Sequence, residues 1–169
     1  MDAGVRIETS RLTLTDFARD EWVAVATGER AERLWAPDYP TDGDVQLASL
    51  SLLGETTQPT DDAPWGPLQV RERAGGMAVG GAGFKGPPDD QGVVEVGYGF
   101  APSARGHGYA TEAVRALCAL AVARGALAVI AETDVNNAAS ERVLERCGFA
   151  VMSRDAQMTY WFWEPTTGE

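Results

Sequence analysis

Six consecutive residues, Arg105-Gly106-His107-Gly108-Tyr109-Ala110, lie between an apolar run ending at Phe100 and a helix-periodic stretch beginning at Thr111. A strand that passes through a glycine-bearing loop into a helix N-terminus presents several unpaired backbone N–H groups, with the positive end of the helix dipole behind them. Such an arrangement binds phosphates. Spacing narrows the choice of ligand. A P-loop ends in Gly-Lys-Ser/Thr, and this segment has no lysine. A dinucleotide fingerprint starting at Gly106 meets Thr111 where Gly or Ala is required, and the acids that would take a ribose, Glu132 or Asp134, come too late. Taken alone, the glycines are also consistent with a plain tight loop before a helix.

Other chemistry-bearing residues are few. His107 is the only histidine, which excludes a multi-histidine metal site and leaves a Ser-His-Asp hydrolase to rest on one imidazole. Cys118 and Cys147 fall in helix-like stretches with no partner at metal-ligand spacing and read as buried, reduced thiols. Glu95 is a carboxylate on the run leading to the loop, and Asn137 and Ser140 open a later helix, where simple capping would explain both.

These residues need elements to position them. A strand is expected within Val5 to Asp16, where Leu12-Thr13-Leu14-Thr15 alternates, then helices over Ala18 to Thr27 and Val45 to Leu53. Trp35 to Asp44 reads as a shaped loop, and the Thr-, Asp- and Pro-rich Glu55 to Pro67 as an irregular, mobile one. Leu68 to Glu72 and Met77 to Lys85 form a hairpin pattern around Gly75-Gly76, with Gly80, Gly81 and Gly83 hinting at close backbone approach. Val93 to Phe100 is the most convincing strand. Thr111 to Arg124 carries one apolar helical face and ends at Gly125, and Leu127 to Thr133 follows as a strand. A short helix, Ala138 to Cys147, is capped by Asn136 or Asn137 and closed by Gly148; Phe149 to Ser153 and Met158 to Trp163 complete the chain as strands.

The whole reads as one α+β domain, residues 1–169, around a central mixed sheet. At 169 residues, 44% of them hydrophobic, the chain can bury a core without staples. Its net charge of −11 argues against nucleic acid and anionic membrane as partners. The first six residues lack an apolar signal core, and the longest clean apolar run, Ala116 to Ala123, is too short to span a bilayer, so a cytoplasmic protein is expected.

Arg105, Gly108 and Ala110 fill the pattern Arg/Gln-x-x-Gly-x-Gly/Ala, which resembles the acyl-CoA pyrophosphate loop of the GNAT superfamily of N-acetyltransferases. Asn137-Ala138-Ala139-Ser140, a short helix and then Gly148-Phe149 look like the second signature of its ribosomal-protein-acetylating branch, and Ser10-Arg11-Leu12-Thr13-Leu14 is similar to that branch's first strand. The resemblance is strongest from about residue 93 to 149, the expected CoA-binding core. It implies a mostly antiparallel, twisted sheet splayed between two central strands and flanked by helices. It further implies transfer of an acetyl group from acetyl-CoA to a primary amine of a small molecule or peptide N-terminus, by direct attack through a tetrahedral intermediate.

On the same resemblance, Tyr98, Phe100, Arg105, Gly106, His107, Gly108, Tyr109, Ala110, Asn137 and Ser140 would bind the acetyl-CoA. Glu95 would be the base, and a bulge permitted by Gly97 and Gly99 would free an oxyanion donor. Leu144 stands where many relatives place a tyrosine acid, leaving Ser140, a water or no acid for the thiolate. Segment 29–67 would form the acceptor side. There Trp35, Tyr39 and Trp65 lie among Asp38, Asp42, Asp44, Asp61 and Asp62, an aromatic and acidic set that suits a cation or is simply a solvated loop. Tyr160 to Trp163 puts aromatics on both strand faces, which suits core on one face and an acceptor pocket or homodimer surface on the other. The rival readings are a non-catalytic acyl-CoA-binding or sensing module and a hydrolase built on His107.

Overall fold

The alternation at Leu12-Thr13-Leu14-Thr15 forms a strand as the second arm of a hairpin: β1, Arg6–Glu8, pairs antiparallel with β2, Leu12–Thr15. Leu12 and Leu14 are fully buried. The computed structural model describes residues 4–167, so the start of the N-terminal stretch, residues 1–3, lies outside it. Helix α1, Arg19–Thr27, ends on Gly28 in the left-handed conformation. Helix α2, Asp42–Leu52, starts three residues before the expected Val45 because Thr41 and Asp44 make a reciprocal capping box.

The remaining elements are β3, Pro67–Glu72; β4, Ala78–Phe84; β5, Val93–Phe100; α3, Tyr109–Ala123; β6, Ala128–Asp134; α4, Ala138–Arg146; β7, Ala150–Arg154; and β8, Met158–Trp163. A 3₁₀ turn over Pro102–Ala104 separates β5 from the glycine loop. The strands make one eight-stranded sheet in the order β1-β2-β3-β4-β5-β6-β8-β7. Every neighbouring pair is antiparallel except β5 and β6.

That exception positions the site. β5 runs beside β6 only from Val93 to Glu95 and then parts from it, while its pairing with β4 continues through Phe100. The sheet is therefore splayed at its centre. The expected bulge in β5 is absent: Gly80 to Phe84 face Phe100 to Val96 in unbroken register. Lys85 N donates to Glu95 O at 2.9 Å. By the alternation of an antiparallel ladder, Gly97 and Gly99 also turn their backbone groups to β4, whereas Tyr98 and Phe100 turn theirs to the side that β6 has vacated.

Helices cover both faces. α3 packs Ala113, Val114, Leu117, Cys118 and Ala121 onto one face, with α4 beside it contributing Leu144. Burial of this order stabilises by about 1.5–3 kcal/mol for each large aliphatic side chain. It also pushes the Cys118 thiol up to about 12, as an inert buried cysteine requires. α1 and α2 pack together on the opposite face, where buried Glu21 accepts from Gln69, Arg71, Arg33 and the Trp35 indole. No helix among the described residues is long and apolar enough to cross a membrane.

Candidate functional site

The glycine loop takes its shape from two left-handed residues, Gly106 and Gly108, each at φ +80°. Any side chain there would be strained, by roughly 1–2 kcal/mol. Gly108 caps α3 with no side chain over the helix end. The first amide of this region to find an acceptor is Glu112 N, on Gly108 O at 3.1 Å; the six from Gly106 to Thr111 have none among the described residues. Together they form a concave row of donors at a helix N-terminus.

Neighbouring segments hold the row in place. Arg11 donates from Nη1 to His107 O at 2.7 Å and pairs with Glu112 at 2.8 Å. Glu112 also accepts from Thr9 Oγ1 at 2.6 Å and from Arg11 N at 2.8 Å. Burial alone would raise its carboxyl, but these hydrogen bonds outweigh it and hold Glu112 below the ordinary value. Arg105 turns back to donate to Phe100 O at 3.0 Å. Asp38, from the loop before α2, accepts from Ser103 N at 2.7 Å and Ser103 Oγ at 2.5 Å.

Between this loop, the free edge of β5 and α4 lies a cavity of about 530 Å³. It is lined by Tyr98, Phe100, Arg105, Gly106, Gly108, Tyr109, Ala110, Asn137 and Ser140, so it gathers every expected cofactor residue except His107. The His107 ring lies 5.7 Å from that of Tyr109, outside the cavity lining. Two residues that the sequence reading missed, Arg142 and Arg146, also line it. They stand four apart on α4, one turn above each other, and that spacing was the available signal. Thr111 Oγ1 adds an unsatisfied group: the residue is 8% exposed, lines the cavity and has no hydrogen-bond partner for its hydroxyl among the described residues.

At the inner end of the cavity the Tyr98 hydroxyl lies 2.6 Å from Ser140 Oγ. Burial raises Tyr98 above the usual phenol value, and the Ser140 contact offsets this in part. Asn137 caps α4 by accepting from Ser140 N at 3.1 Å. Leu144 is 0% exposed and meets neither cavity nor solvent.

A second cavity, of about 390 Å³, opens on the other face of the sheet and shares Tyr98 and Gly99 with the first. Its floor is bare backbone: Gly81 pairs with Gly99 and Gly83 with Gly97. Its walls include Asp44 and Leu47 of α2, residues 55–57, and Lys85. The two cavities thus meet through the splay at Tyr98–Gly99.

The expected acceptor aromatics are elsewhere. Trp35 is buried with its indole on Glu21 at 2.8 Å. Tyr39 is 0% exposed and takes a hydrogen bond from Gln69 at 3.0 Å, and Trp65 is buried edge-on against Phe84 at 5.1 Å. None lines either of these two cavities. These aromatics fill the core between α1, α2 and the sheet, which corrects the expectation that they wall a cleft. Glu95 lines neither cavity, and its carboxylate accepts from Lys85 Nζ at 3.1 Å. A carboxylate already neutralised by a lysine and outside the cavities is poorly placed as a base.

Residues 11–150 match the family model described as an acetyltransferase (GNAT) domain. The chain is similar to the uncharacterized N-acetyltransferase YjdG of Bacillus subtilis (strain 168), at 34% identity over 86 residues. That match spans 50% of this chain and 51% of the relative, about half the length of each. Among solved structures, an acetyltransferase (GNAT family) from Bacillus anthracis has a TM-score of 0.69 at 21% identity, covering 95% of this chain and 98% of the other. Ribosomal-protein-S5-alanine acetyltransferase from Vibrio fischeri has a TM-score of 0.66 at 14% identity, with coverages of 96% and 98%. Both share the fold described above.

Proposed function

Because the chain belongs to the GNAT acetyltransferase family, we propose that it transfers an acetyl group from acetyl-CoA to a primary amine, carried by a small molecule or a peptide N-terminus. One observation carries this reading: two cavities on opposite faces of the sheet meet at Tyr98–Gly99, where the central strands part. A donor entering from one face and an acceptor from the other would touch only there.

The first cavity fits the donor. Six unpartnered amides and two arginines suit a string of phosphates, and the unpartnered Thr111 hydroxyl is a polar group that a ligand would satisfy. Bound acetyl-CoA supplies an activated thioester carbon. The Gly106 to Thr111 amides hold its pyrophosphate, and the free edge of β5 lies along the arm that leads to the sulfur. The Tyr98 N–H, turned to the side that β6 has left, is placed to stabilise an oxyanion. Ser140 Oγ, hydrogen-bonded to the Tyr98 hydroxyl, provides a proton for the departing thiolate. Leu144 has no hydroxyl to give, so the proton route runs through this Tyr98–Ser140 pair.

The reading places the enzyme in the cytoplasm, where both free cysteines stay reduced. The test is direct. Calorimetry should show tight binding of acetyl-CoA and CoA but not NAD, and a thiol assay with a panel of primary amines should show amine-dependent release of CoA. Binding without release would assign the chain to the acyl-CoA-binding modules instead. No binding of acetyl-CoA would overturn the reading altogether.

A further inference from the structure

Four titratable side chains line the second cavity: Asp44, Glu55, Lys85 and Tyr98. Lys85 is paired with Glu95, Tyr98 is hydrogen-bonded to Ser140, and Glu55 is exposed at the rim. Asp44 differs from all three. Its Oδ2 accepts from Thr41 N and Thr41 Oγ1, both at 2.8 Å, while its Oδ1 accepts from no donor among the described residues. The capping box fixes the carboxylate in one orientation, and the free oxygen lies only 3.6 Å from where a Gly81 Cβ would stand.

Gly81 is the direct cross-strand partner of Gly99, the residue shared by the two cavities. Opposed positions on an antiparallel pair have Cβ sites about 4.5–5.5 Å apart. A cation held by Asp44 Oδ1 at a charge-assisted distance of about 2.8 Å, on the Gly99 side, therefore sits over the junction. No side chain intervenes, because both floor residues are glycine. Resting on the acetyltransferase reading, we infer that Asp44 binds the acceptor's primary ammonium over the Gly81–Gly99 floor and takes its first proton.

The step balances. The ammonium passes one proton to the Asp44 carboxylate, and the freed nitrogen pair forms the C–N bond to the thioester carbonyl carbon. The C–S bond breaks with its electron pair on sulfur, the nitrogen loses a second proton and the sulfur ends as a thiol. One proton in total leaves through Asp44 to water. Burial raises Asp44 above the ordinary carboxylate range, with the Thr41 hydrogen bonds opposing, which brings its basicity nearer to neutral pH. Glu21 and Tyr39 lie behind it in the core, and Lys85 is offset by Glu95.

The test uses n-butylamine hydrochloride as probe and n-butanol as its neutral counterpart, titrated into the full chain while the Gly81 and Gly99 amide signals are followed by NMR. The amine should shift both signals and the alcohol should not. Asp44→Asn should weaken amine binding at least tenfold, and so should Gly81→Ala, whose methyl group stands 3.6 Å from Oδ1 and fills the ammonium position while leaving the carboxylate in place. Glu132→Gln, at an exposed carboxylate of β6 outside both cavities, should leave the amine affinity unchanged. Equal shifts by amine and alcohol, an unaltered amine affinity in a folded Asp44→Asn protein, or shifts confined to other residues would overturn the assignment. Acetyl-CoA affinity, measured on the same samples, reports separately on the donor reading. Its absence would remove the acetyl transfer while leaving the amine site to stand or fall on its own titration.

Discussion

Tyr98 on β5 and Ser140 on α4 share a 2.6 Å hydrogen bond that closes the inner end of the first cavity. Tyr98→Phe keeps the ring and removes the proton, and Ser140→Ala removes the other partner. Each should lower kcat by roughly 10²-fold, the scale of a lost general acid, while acetyl-CoA affinity changes little. Paired steady-state kinetics and calorimetry check this. A parallel loss of kcat and donor affinity would make the pair structural.

Thr111 offers an unusual opposition. Its buried hydroxyl has no partner among the described residues, and leaving such a group unpaired costs about 1–3 kcal/mol. Thr111→Val should therefore raise the Tm of the free protein while weakening acetyl-CoA binding severalfold. Thermal melts with and without acetyl-CoA measure both effects. A variant that gains stability and keeps full affinity would show that the hydroxyl has no contact with the ligand.

Acid should loosen the loop through Glu112. Its folded carboxyl sits below the ordinary value of 4.5, so it binds a proton less readily folded than unfolded. Its stabilisation is present above that value and is lost as pH falls through the lower, folded pKa. Glu112→Gln should lower the Tm at neutral pH and flatten its dependence on pH in the acid range. A melt series from neutral to acid pH on both proteins reads the difference directly; identical slopes would refute the linkage.

Trp65 packs edge-on against Phe84 in the core. Trp65→Ala should destabilise the fold by about 3–5 kcal/mol, typical of a large aromatic lost from a core. Whatever KM change follows should affect both substrates together. A stable variant with a selective rise in acceptor KM would return Trp65 to the binding site.

The donor half of this molecule was legible because its signals are local. Gly125 and Gly148 close α3 and α4, the apolar face of α3 repeats at helical spacing, and the loop glycines stand next to the helix they open. The acceptor half depends on contacts distant in sequence. Trp35 and Tyr39 look like surface aromatics beside Pro37 and Asp38, and only Glu21 of α1 and Gln69 of β3, distant in sequence, make them core. The floor of the second cavity consists of glycines, which leave no side-chain pattern to read. Asp44 did leave one: Thr41-x-x-Asp44 is a helix-start motif that places one carboxylate oxygen on Thr41 and leaves the other free.

The backbone floor also limits how this pocket can evolve. No substitution can enlarge a surface made of glycine; each can only fill it. Gly83 cannot accept even a methyl group without overlapping Gly66 O, and Gly97 and Gly81 meet neighbours at 3.3 and 3.4 Å. Gly99 alone opens on space free within 4 Å. Drift in this chain's substrate range should therefore proceed by narrowing at position 99 or by exchange on the opposite wall, at Leu47 and residues 55–57, where side chains can shrink as well as grow.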